Sequence, residues 1–262
     1  MPAPKNTFKE AIAKGQLQVG CWLGLASSYV AEISASAGFD WLVVDAEHAP
    51  NDLQSIISHL QVIDASNSHA IVRPPIGEVW IIKRLLDAGA QTLLIPMVES
   101  AEQAQTLVDA VTYPPHGIRG VGSALARASN FSAIPDYLTT ARDEICLLVQ
   151  VENQKGMAAL DDILAIDGID GVFIGPADLA ADMGFIADPN APEMRTAVLG
   201  AMEKIIASGK AGGILTLNKE LQTQCRELGA SFIATEIDVT LFASAIRNAA
   251  KQSTEHLTKS TS

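Results

Sequence analysis

Residues 41–73, WLVVDAEHAPNDLQSIISHLQVIDASNSHAIVR, decide the fold. The stretch opens with an apolar run, Trp41–Asp45, continues with an amphipathic segment, Leu53–Ala65, and closes with a second apolar run, Ala70–Arg73. Short runs rich in Val, Ile and Leu predict buried strands, and apolar residues at helical spacing predict a helix. A strand, a helix and a second buried strand in this order are typical of a parallel sheet.

The same unit recurs along the whole chain. Apolar runs predict eight strands, at Gln18–Leu25, Trp41–Asp45, Ala70–Arg73, Thr92–Val98, Ile145–Val151, Gly171–Ile174, Gly212–Thr216 and Phe232–Glu236. Amphipathic segments predict the intervening helices, at Ser28–Ala37, Leu53–Ala65, Val79–Ala88, Ala101–Val111, Met157–Ala165, Glu193–Ser208, Lys219–Leu228 and Thr240–Ala250. Eight such units favour an α/β fold of the closed (β/α)8 TIM barrel type.

An open doubly wound sheet is the alternative fold, but the glycine-rich dinucleotide fingerprint that often accompanies it is missing. Gly120 and Gly122 follow a proline-rich loop rather than a strand, and Leu125 stands where a third glycine would be needed. The 262 residues therefore predict one barrel domain over residues 1–262, with a polar, frayed tail from about residue 251. The long connection Thr112–Glu144 is expected to be irregular and to act as a lid or binding loop.

Charge and composition exclude several classes of function. The formal net charge of −12 disfavours binding to nucleic acid or to anionic membrane surfaces. The N-terminal residues lack the apolar core of a signal peptide, and no segment is apolar enough to span a membrane, so a cytoplasmic protein is expected. Three widely spaced cysteines, Cys21, Cys146 and Cys225, do not form a disulfide framework or a CxxC metal site.

Polar residues stand at the carboxyl ends of several predicted strands, where barrel enzymes have their active sites. The polar residues are Asp45, Glu47, His48, Arg73, Gln150, Glu152 and Asp178, and Gly175, Pro176 and Ala177 stand just before Asp178. Because the strands of a barrel are parallel, we expect these residues to meet at one mouth. Glu152 and Asp178 have the oxygen ligands that Mg²⁺ or Mn²⁺ prefers, although they could instead cap the helices that follow.

Two further residues could contact an anionic substrate or transfer a proton. Arg73 precedes two prolines, so it is extended and can address an anionic oxygen, or it can form a structural ion pair with Asp45 or Glu47. His48 is the one histidine of five at the carboxyl end of a predicted strand, where it can act as a base. A lone histidine is more often structural, so its acidic and cationic neighbours carry the hypothesis.

The sequence also disfavours two kinds of barrel chemistry. No lysine lies inside a predicted strand, and Lys155 comes closest, in the turn after Glu152, so a Schiff-base mechanism is disfavoured. Phosphate sites in barrels follow strands seven and eight, but here Glu236 and Asp238 follow the last strand and would repel a phosphate. A substrate without phosphate is therefore expected.

Six motifs in order resemble those of the HpcH/HpaI aldolase family over nearly the whole chain: DAEHAPND, RPP, LLIPMVESAEQA, YPPHGIRGVG, QVENQKG and IGPADLAADMG. The resemblance implies a (β/α)8 barrel of the phosphoenolpyruvate/pyruvate type and a metal-dependent aldolase. Such an enzyme reversibly cleaves a 4-hydroxy-2-oxo acid, such as 4-hydroxy-2-oxoheptanedioate, to pyruvate and an aldehyde. The divalent cation would be Mg²⁺, Mn²⁺ or Co²⁺.

The same resemblance implies a role for each matching residue. Glu152 and Asp178 would be the metal ligands, and Arg73 would stabilise the enolate oxygen. His48 would be the base. Gln150, Gly175, Ala177 and Asp178 would bind substrate with Arg73, and Asp87 would raise the basicity of the catalytic histidine.

Other functions stay open at this stage. An oxaloacetate-type decarboxylase, or another C–C lyase, would use the same pyruvate enolate, and a non-catalytic binding or assembly protein is a remote alternative. The resemblance also implies a homo-oligomer, plausibly a hexamer that exchanges its last helix through Leu241, Phe242 and Ile246. The acceptor aldehyde is expected to be chosen by the long loop, through Arg119, Ser123 and Arg127.

Overall fold

The computed structural model describes residues 1–259 and contains a closed barrel of eight parallel strands in sequential order. The strands are β1 (Gln18–Leu23), β2 (Trp41–Asp45), β3 (His69–Arg73), β4 (Thr92–Ile95), β5 (Cys146–Val151), β6 (Gly171–Ile174), β7 (Ala211–Leu215) and β8 (Phe232–Ile237). Each strand pairs in parallel with its neighbours, and β1 closes the barrel against β8. The predicted (β/α)8 barrel is confirmed.

Helices surround the barrel, and their bounds follow the amphipathic segments of the sequence. They are α1 (Thr7–Ala13), α2 (Ser28–Ala35), α3 (Leu53–Ile63), α4 (Val79–Asp87), α5 (Ala101–Val111), α6 (Tyr137–Glu144), α7 (Gln154–Ala158), α8 (Leu160–Leu164), α9 (Pro176–Asp182), α10 (Pro192–Ala207), α11 (Lys219–Leu228) and α12 (Asp238–Lys259). Among the described residues no helix is long and apolar enough to cross a membrane.

Alternation along each strand separates two apolar layers. In β2, Trp41 and Val43 belong to the cluster that fills the barrel, whereas Leu42 and Val44 belong to the larger cluster between strands and helices. Successive strand side chains point to opposite faces, so a strand buried on both faces has no polar position in its middle. Polar residues therefore lie near the ends of the strands, and the candidate functional site forms there.

Helix α1 closes the amino-terminal end of the barrel and was not predicted. Phe8 is 1% exposed and stacks on His69 at 5.4 Å between ring centroids, with the ring of Phe232 at 5.9 Å. Asn6 accepts a hydrogen bond from the amide of Lys9 and so caps the helix at its start. With helix α1 at the amino-terminal end, the carboxyl ends of the strands form the open mouth of the barrel.

Several predicted boundaries differ from the structure, and three of these differences change how an element begins, ends or divides. The first strand ends at Leu23 instead of Leu25, because the amides of Gly24 and Leu25 donate to the carboxylate of Asp238 at 2.8 and 3.1 Å. The fourth strand ends at Ile95 instead of Val98, since Pro96 has no N–H and the next residue has a φ of +54°. The predicted helix Met157–Ala165 is divided into α7 and α8.

The long connection and the carboxyl-terminal tail are more regular than expected. Residues 112–144 contain helix α6 and two short 3-10 turns, Ser123–Leu125 and Arg127–Ser129. Helix α12 continues as far as Lys259, so the expectation of a frayed tail is wrong up to that residue. The last three positions of the predicted tail, 260–262, lie outside the described residues.

Candidate active site

The strand ends bring most of the predicted site residues to one mouth. Asp45 and Arg73 are the last residues of β2 and β3 and are partners in the strand register. Gln150 lies in β5, Glu152 follows that strand, and Gly175 joins β6 to α9. Parallel strands in a closed barrel end on the same side, so these residues share one surface.

Arg73 is clamped at this mouth by two carboxylates and an aromatic ring. Its Nε and Nη2 donate to Asp45 at 2.9 and 2.7 Å, and Nη1 lies 2.8 Å from Oε2 of Glu47. The guanidinium carbon lies 4.9 Å from the centre of the Trp22 ring. The sequence left open whether Arg73 meets a substrate anion or forms a structural ion pair; the pair exists, and it includes both carboxylates.

The two carboxylates differ in how readily they ionise. Burial opposes ionisation of Asp45, but hydrogen bonds and charge from Arg73 outweigh it and lower the pKa of Asp45. Burial raises the pKa of Glu47, assisted by the negative charges of Asp45 and Asp178 and opposed by Arg73 and His48. Asp45 is therefore the permanent partner of Arg73, whereas Glu47 is held less firmly in its charged form.

His48 stands on the loop after β2, with 65% of its side chain exposed. The carboxylate of Asp45 accepts hydrogen bonds from the amides of Glu47 and His48 at 3.0 and 3.5 Å, and Asn51 donates to the Asp45 carbonyl. Nε2 of His48 lies 3.9 Å from Oε2 of Glu47. The loop backbone is thus fixed, while the imidazole is open to a substrate in the mouth.

Glu152 is the most buried carboxylate of the candidate metal site. It is 2% exposed, its Oε1 accepts a hydrogen bond from the amide of Met97 at 2.8 Å, and Gln150 donates to its Oε2. Burial raises the pKa of Glu152 to about 7, and the charges of Glu47 and Asp178 contribute in the same direction. Negative charges crowded around a buried carboxylate are the environment that a cation would relieve.

Two further features test whether these residues fit a divalent cation. Oε1 of Gln150 is buried and has no hydrogen-bond partner. A Cβ at Gly175 would lie 2.6 Å from Oε2 of Glu152 and 2.9 Å from Nε2 of Gln150, so only glycine leaves this space open. An unpaired carbonyl oxygen, two carboxylates and an unobstructed space fit a hard cation that also keeps water or substrate ligands.

The described residues contain no cluster of three or more His, Cys, Asp or Glu side chains that could hold a metal ion. Asp178 lies in the first turn of α9, where it is exposed, and Pro176 takes the first helical position. No side chain caps this helix, and Ala177 is exposed beside Asp178. A cation at this mouth would therefore have Glu152 and Asp178 as its carboxylate ligands, and its other positions would be left to small molecules.

Asp87 does not meet His48 within this chain. It ends α4 and accepts a hydrogen bond from Nη2 of Arg119 at 3.0 Å, and no hydrogen bond or ion pair between residues 1–259 joins it to His48. Arg119 itself is fully buried, with its guanidinium 4.4 Å from the centre of the Tyr113 ring. The expectation that Arg119 selects an aldehyde is therefore wrong for the chain as folded, because its side chain has no exposed surface.

The acidic residues after β8 divide between two roles. Asp238 is 6% exposed, and its carboxylate accepts the amides of Gly24 and Leu25. These hydrogen bonds occupy the carboxylate and join the start of α12 to the loop after β1. Glu236 is only partly buried, so it is the one of the two that remains placed to repel a phosphate.

Lysine positions agree with the sequence argument. Lys155 stands on the rim with 72% of its side chain exposed and pairs with Glu99 at 2.8 Å. Lys9 and Lys210, which are partly buried, contact residues near the amino-terminal end of the barrel, through Ile145 and Ile169. Within residues 1–259 the mouth therefore contains no buried amine for an imine.

A cavity of about 470 Å³ lies elsewhere, at the amino-terminal end of the barrel beside His69 and Tyr137. It contains none of the strand-end carboxylates. We assign the site by chemistry, because barrel enzymes react at the carboxyl ends of their strands. Trp22 and Met97 were given no role from sequence, and Glu47 was considered there only as an ion-pair partner of Arg73.

Comparison with known proteins agrees with this geometry. The family described as HpcH/HpaI aldolase/citrate lyase matches residues 18–245. The chain is 57% identical to a hydroxypyruvate/pyruvate aldolase of Roseovarius nubinhibens over 94% of this chain and 96% of that protein. It is 55% identical to a 4-hydroxy-2-oxo-heptane-1,7-dioate aldolase of Salmonella dublin, over 91% of each.

Solved structures give the same result. An HpcH/HpaI aldolase/citrate lyase family protein from Burkholderia cenocepacia superposes with a TM-score of 0.90 at 37% identity, over 95% of this chain and 99% of that one. Sequence and fold agree over nearly the full length of both chains. This protein belongs to the HpcH/HpaI aldolase/citrate lyase family and is a carbon–carbon lyase of the pyruvate aldolase kind.

Proposed function

We propose that this protein is a divalent-metal-dependent aldolase that reversibly cleaves a 4-hydroxy-2-oxo acid to pyruvate and an aldehyde. The observation that carries the metal dependence is the environment of Glu152, whose pKa is raised to about 7 by burial and by the nearby charges of Glu47 and Asp178. Together with the unpaired oxygen of Gln150, this arrangement supports a cation site next to Arg73.

In the proposed reaction each side chain has one task. Glu152 and Asp178 would hold a divalent cation, with Mg²⁺, Mn²⁺ or Co²⁺ as candidates, and the bound cation would supply positive charge for the keto oxygen of the substrate. His48 accepts the proton of the 4-hydroxyl group as the C3–C4 bond breaks. The aldehyde leaves, and the electron pair of the broken bond remains in the enolate of pyruvate.

Arg73 and the residues around Gly175 complete the substrate site. The guanidinium stabilises the negative charge that develops on the enolate oxygen, an interaction that strengthens as the reaction proceeds. Gln150 offers an amide, and Gly175 and Ala177 offer backbone close to Asp178, for the carboxylate of pyruvate. Protonation of the enolate at carbon then gives pyruvate, and the steps reverse in synthesis.

The experiment that tests this function is an aldol assay with and without metal. Pyruvate and hydroxypyruvate would be incubated with succinate semialdehyde, lactaldehyde and tartronate semialdehyde, first with EDTA and then with Mg²⁺ or Mn²⁺. Activity should disappear with EDTA and return with metal. Trapping of a pyruvate adduct by borohydride would contradict the proposal, and release of CO₂ without an aldehyde would favour the decarboxylase alternative.

We further propose that the protein forms a homo-oligomer, a hexamer. Helix α12 is 22 residues long, contacts its own barrel mainly through β1 and β8, and exposes Leu241, Phe242 and Ile246 by 49, 59 and 55%. A cavity of about 170 Å³ beside β1 and β8 is lined by Leu17, Ile233 and Thr223. Exchange of α12 between copies would bury both apolar surfaces.

A second copy of the chain would also explain how Asp87 could act on His48. Because Asp87 pairs with Arg119 and does not contact His48 within one chain, its role toward His48 requires a second copy. Mixing an inactive His48→Ala protein with an inactive Asp87→Asn protein should then restore part of the activity. No recovery after dissociation and reassembly would contradict this role.

A further inference from the structure

Carboxylates of the protein itself already contact the guanidinium nitrogens through which Arg73 would bind a substrate. Asp45 takes Nε and Nη2 through two hydrogen bonds, and Oε2 of Glu47 lies 2.8 Å from Nη1. All three guanidinium nitrogens therefore face a carboxylate. Nη1 and Nη2 each keep a further N–H, but an anionic substrate oxygen that approaches Nη1 meets the negative charge of Glu47 there.

The two carboxylates are held with very different strength. Asp45 is bidentate and receives further hydrogen bonds from the Trp22 indole at 3.3 Å and from the Glu47 amide. Glu47 contacts a single nitrogen of Arg73, and that oxygen has no hydrogen-bond partner, so the contact is an ion pair alone. Bidentate pairs are the stronger ones, so Glu47 is the partner that yields.

Glu47 also has a second group to turn to. The oxygen that contacts Arg73 lies 3.9 Å from Nε2 of His48, and that imidazole is largely exposed and free to adjust. The side chain of Glu47 is itself 14% exposed, so it is not sealed into the core. Movement toward His48 would keep the charge of Glu47 beside the imidazole, which can donate to it once Nε2 carries a proton.

We propose that Glu47 is a displaceable counter-ion of Arg73, which occupies Nη1 until an anionic oxygen of the substrate takes that place. The inference rests on the proposed function, because it takes pyruvate as the anion. Glu47 is then a positioning residue that neutralises Arg73 in the empty site and turns to His48 when substrate binds. Glu47 therefore opposes the binding of substrate to Arg73 and assists the proton transfer by His48.

This role predicts effects of opposite sign on binding and turnover. Glu47→Gln keeps the size of the side chain and removes its charge, so pyruvate should bind about two- to fivefold more tightly, the factor expected for one partly exposed ion pair. The turnover number kcat should fall, because His48 loses its acidic neighbour. Calorimetric titration with pyruvate at saturating Mn²⁺ measures the first effect and steady-state assay the second.

Matched variants separate this role from a structural one. Glu78→Gln makes the same change of charge at an exposed residue before α4 that has no side-chain hydrogen bond, and it should leave pyruvate binding unchanged. Mn²⁺ affinity is measured for each variant, because the charge of Glu47 acts on Glu152. Glu47→Ala should also bind pyruvate more tightly, which provides a second variant if the amide misfolds.

The outcomes are distinguishable. Tighter pyruvate binding with lower kcat in the Glu47 variants, and neither effect in Glu78→Gln, supports the inference. Wild-type protein that binds pyruvate while the folded, metal-saturated Glu47 variants bind it equally or more weakly overturns the inference and leaves the aldolase proposal standing. Wild-type protein that binds no pyruvate with metal present overturns the proposed function and this inference with it.

Discussion

Arg73 and Asp45 form a buried, bidentate ion pair between the last residues of two adjacent strands. Their side chains are only 7 and 5% exposed. The pair fixes the guanidinium at the mouth of the barrel, where it faces Trp22 and Glu47. The position and burial of the arginine therefore depend on a neighbour that is 28 residues away in the sequence.

Asp45→Asn should destabilise the fold by about 3 kcal/mol, because the change leaves a buried guanidinium with one charged partner fewer. Urea unfolding measures the loss. Glu10→Gln, which breaks the exposed pair between Glu10 and Lys14, is the control and should leave the free energy of unfolding nearly unchanged. Equal losses in the two variants would show that the Asp45–Arg73 pair has no special weight.

His48→Ala should lower kcat by about 10²- to 10⁴-fold, the range of general-base catalysis, while metal binding stays intact. Steady-state assay and Mn²⁺ titration measure the two quantities. His116→Ala, at an exposed position of the long connection, should retain wild-type activity. Near-normal turnover without His48 would remove it as the base.

Glu152→Ala should weaken Mn²⁺ binding by more than the ~10–100-fold that follows loss of an outer-sphere partner, because it removes a direct ligand. Calorimetry on the purified protein after EDTA treatment and dialysis measures the change without relying on activity. Glu78→Gln again serves as the charge control. Unchanged Mn²⁺ affinity would exclude Glu152 as a ligand.

Protonation of His69 should make the fold less stable in acid. Burial lowers the pKa of His69 to about 4, below the ordinary value of 6.5, so the folded state prefers the neutral ring. The unfolded state then takes up the proton first, and the contribution of His69 to stability, present above pH 6.5, is lost as pH falls toward 4. His69 donates to or accepts from Thr92 at 2.7 Å and stacks on Phe8.

The measurement compares metal-free wild type and His69→Gln between pH 7 and 4. Glu152 titrates in the same range with opposite sign, because its raised pKa favours the folded state in acid. The difference between the two proteins removes that contribution. A stability difference that does not change with pH would contradict the prediction for His69.

Phe242→Glu should dissociate the proposed oligomer, because a charge would enter the apolar surface of α12. Light scattering gives the mass of wild type and variant. Gln252→Glu, on an exposed turn further along the same helix, adds the same charge and should keep the wild-type mass. A monomeric wild type would end the proposal of helix exchange.

Periodicity predicted the barrel well because its cause is local. A β2 residue such as Val43 must be apolar whichever face it takes, since both faces of a parallel barrel strand are buried. Errors arose where distant partners set the boundary. β1 stops at Leu23 because Asp238 takes the next two amides. Helix α1 was missed because its short apolar pattern gains meaning only when Phe8 reaches the barrel interior.

The sequence alone was enough to predict the barrel, the strand ends at which the candidate site residues lie, and the family that the motifs resemble. These follow from spacing and residue type, which are properties of the chain. The tertiary structure is needed to show that Arg73 is shared between Asp45 and Glu47 and that Arg119 is buried against Tyr113. It also shows that Asp87 pairs with Arg119 and, within residues 1–259, forms no hydrogen bond or ion pair with His48. Such pairings depend on distances between separate strands and loops, and those distances exist only once the barrel has closed.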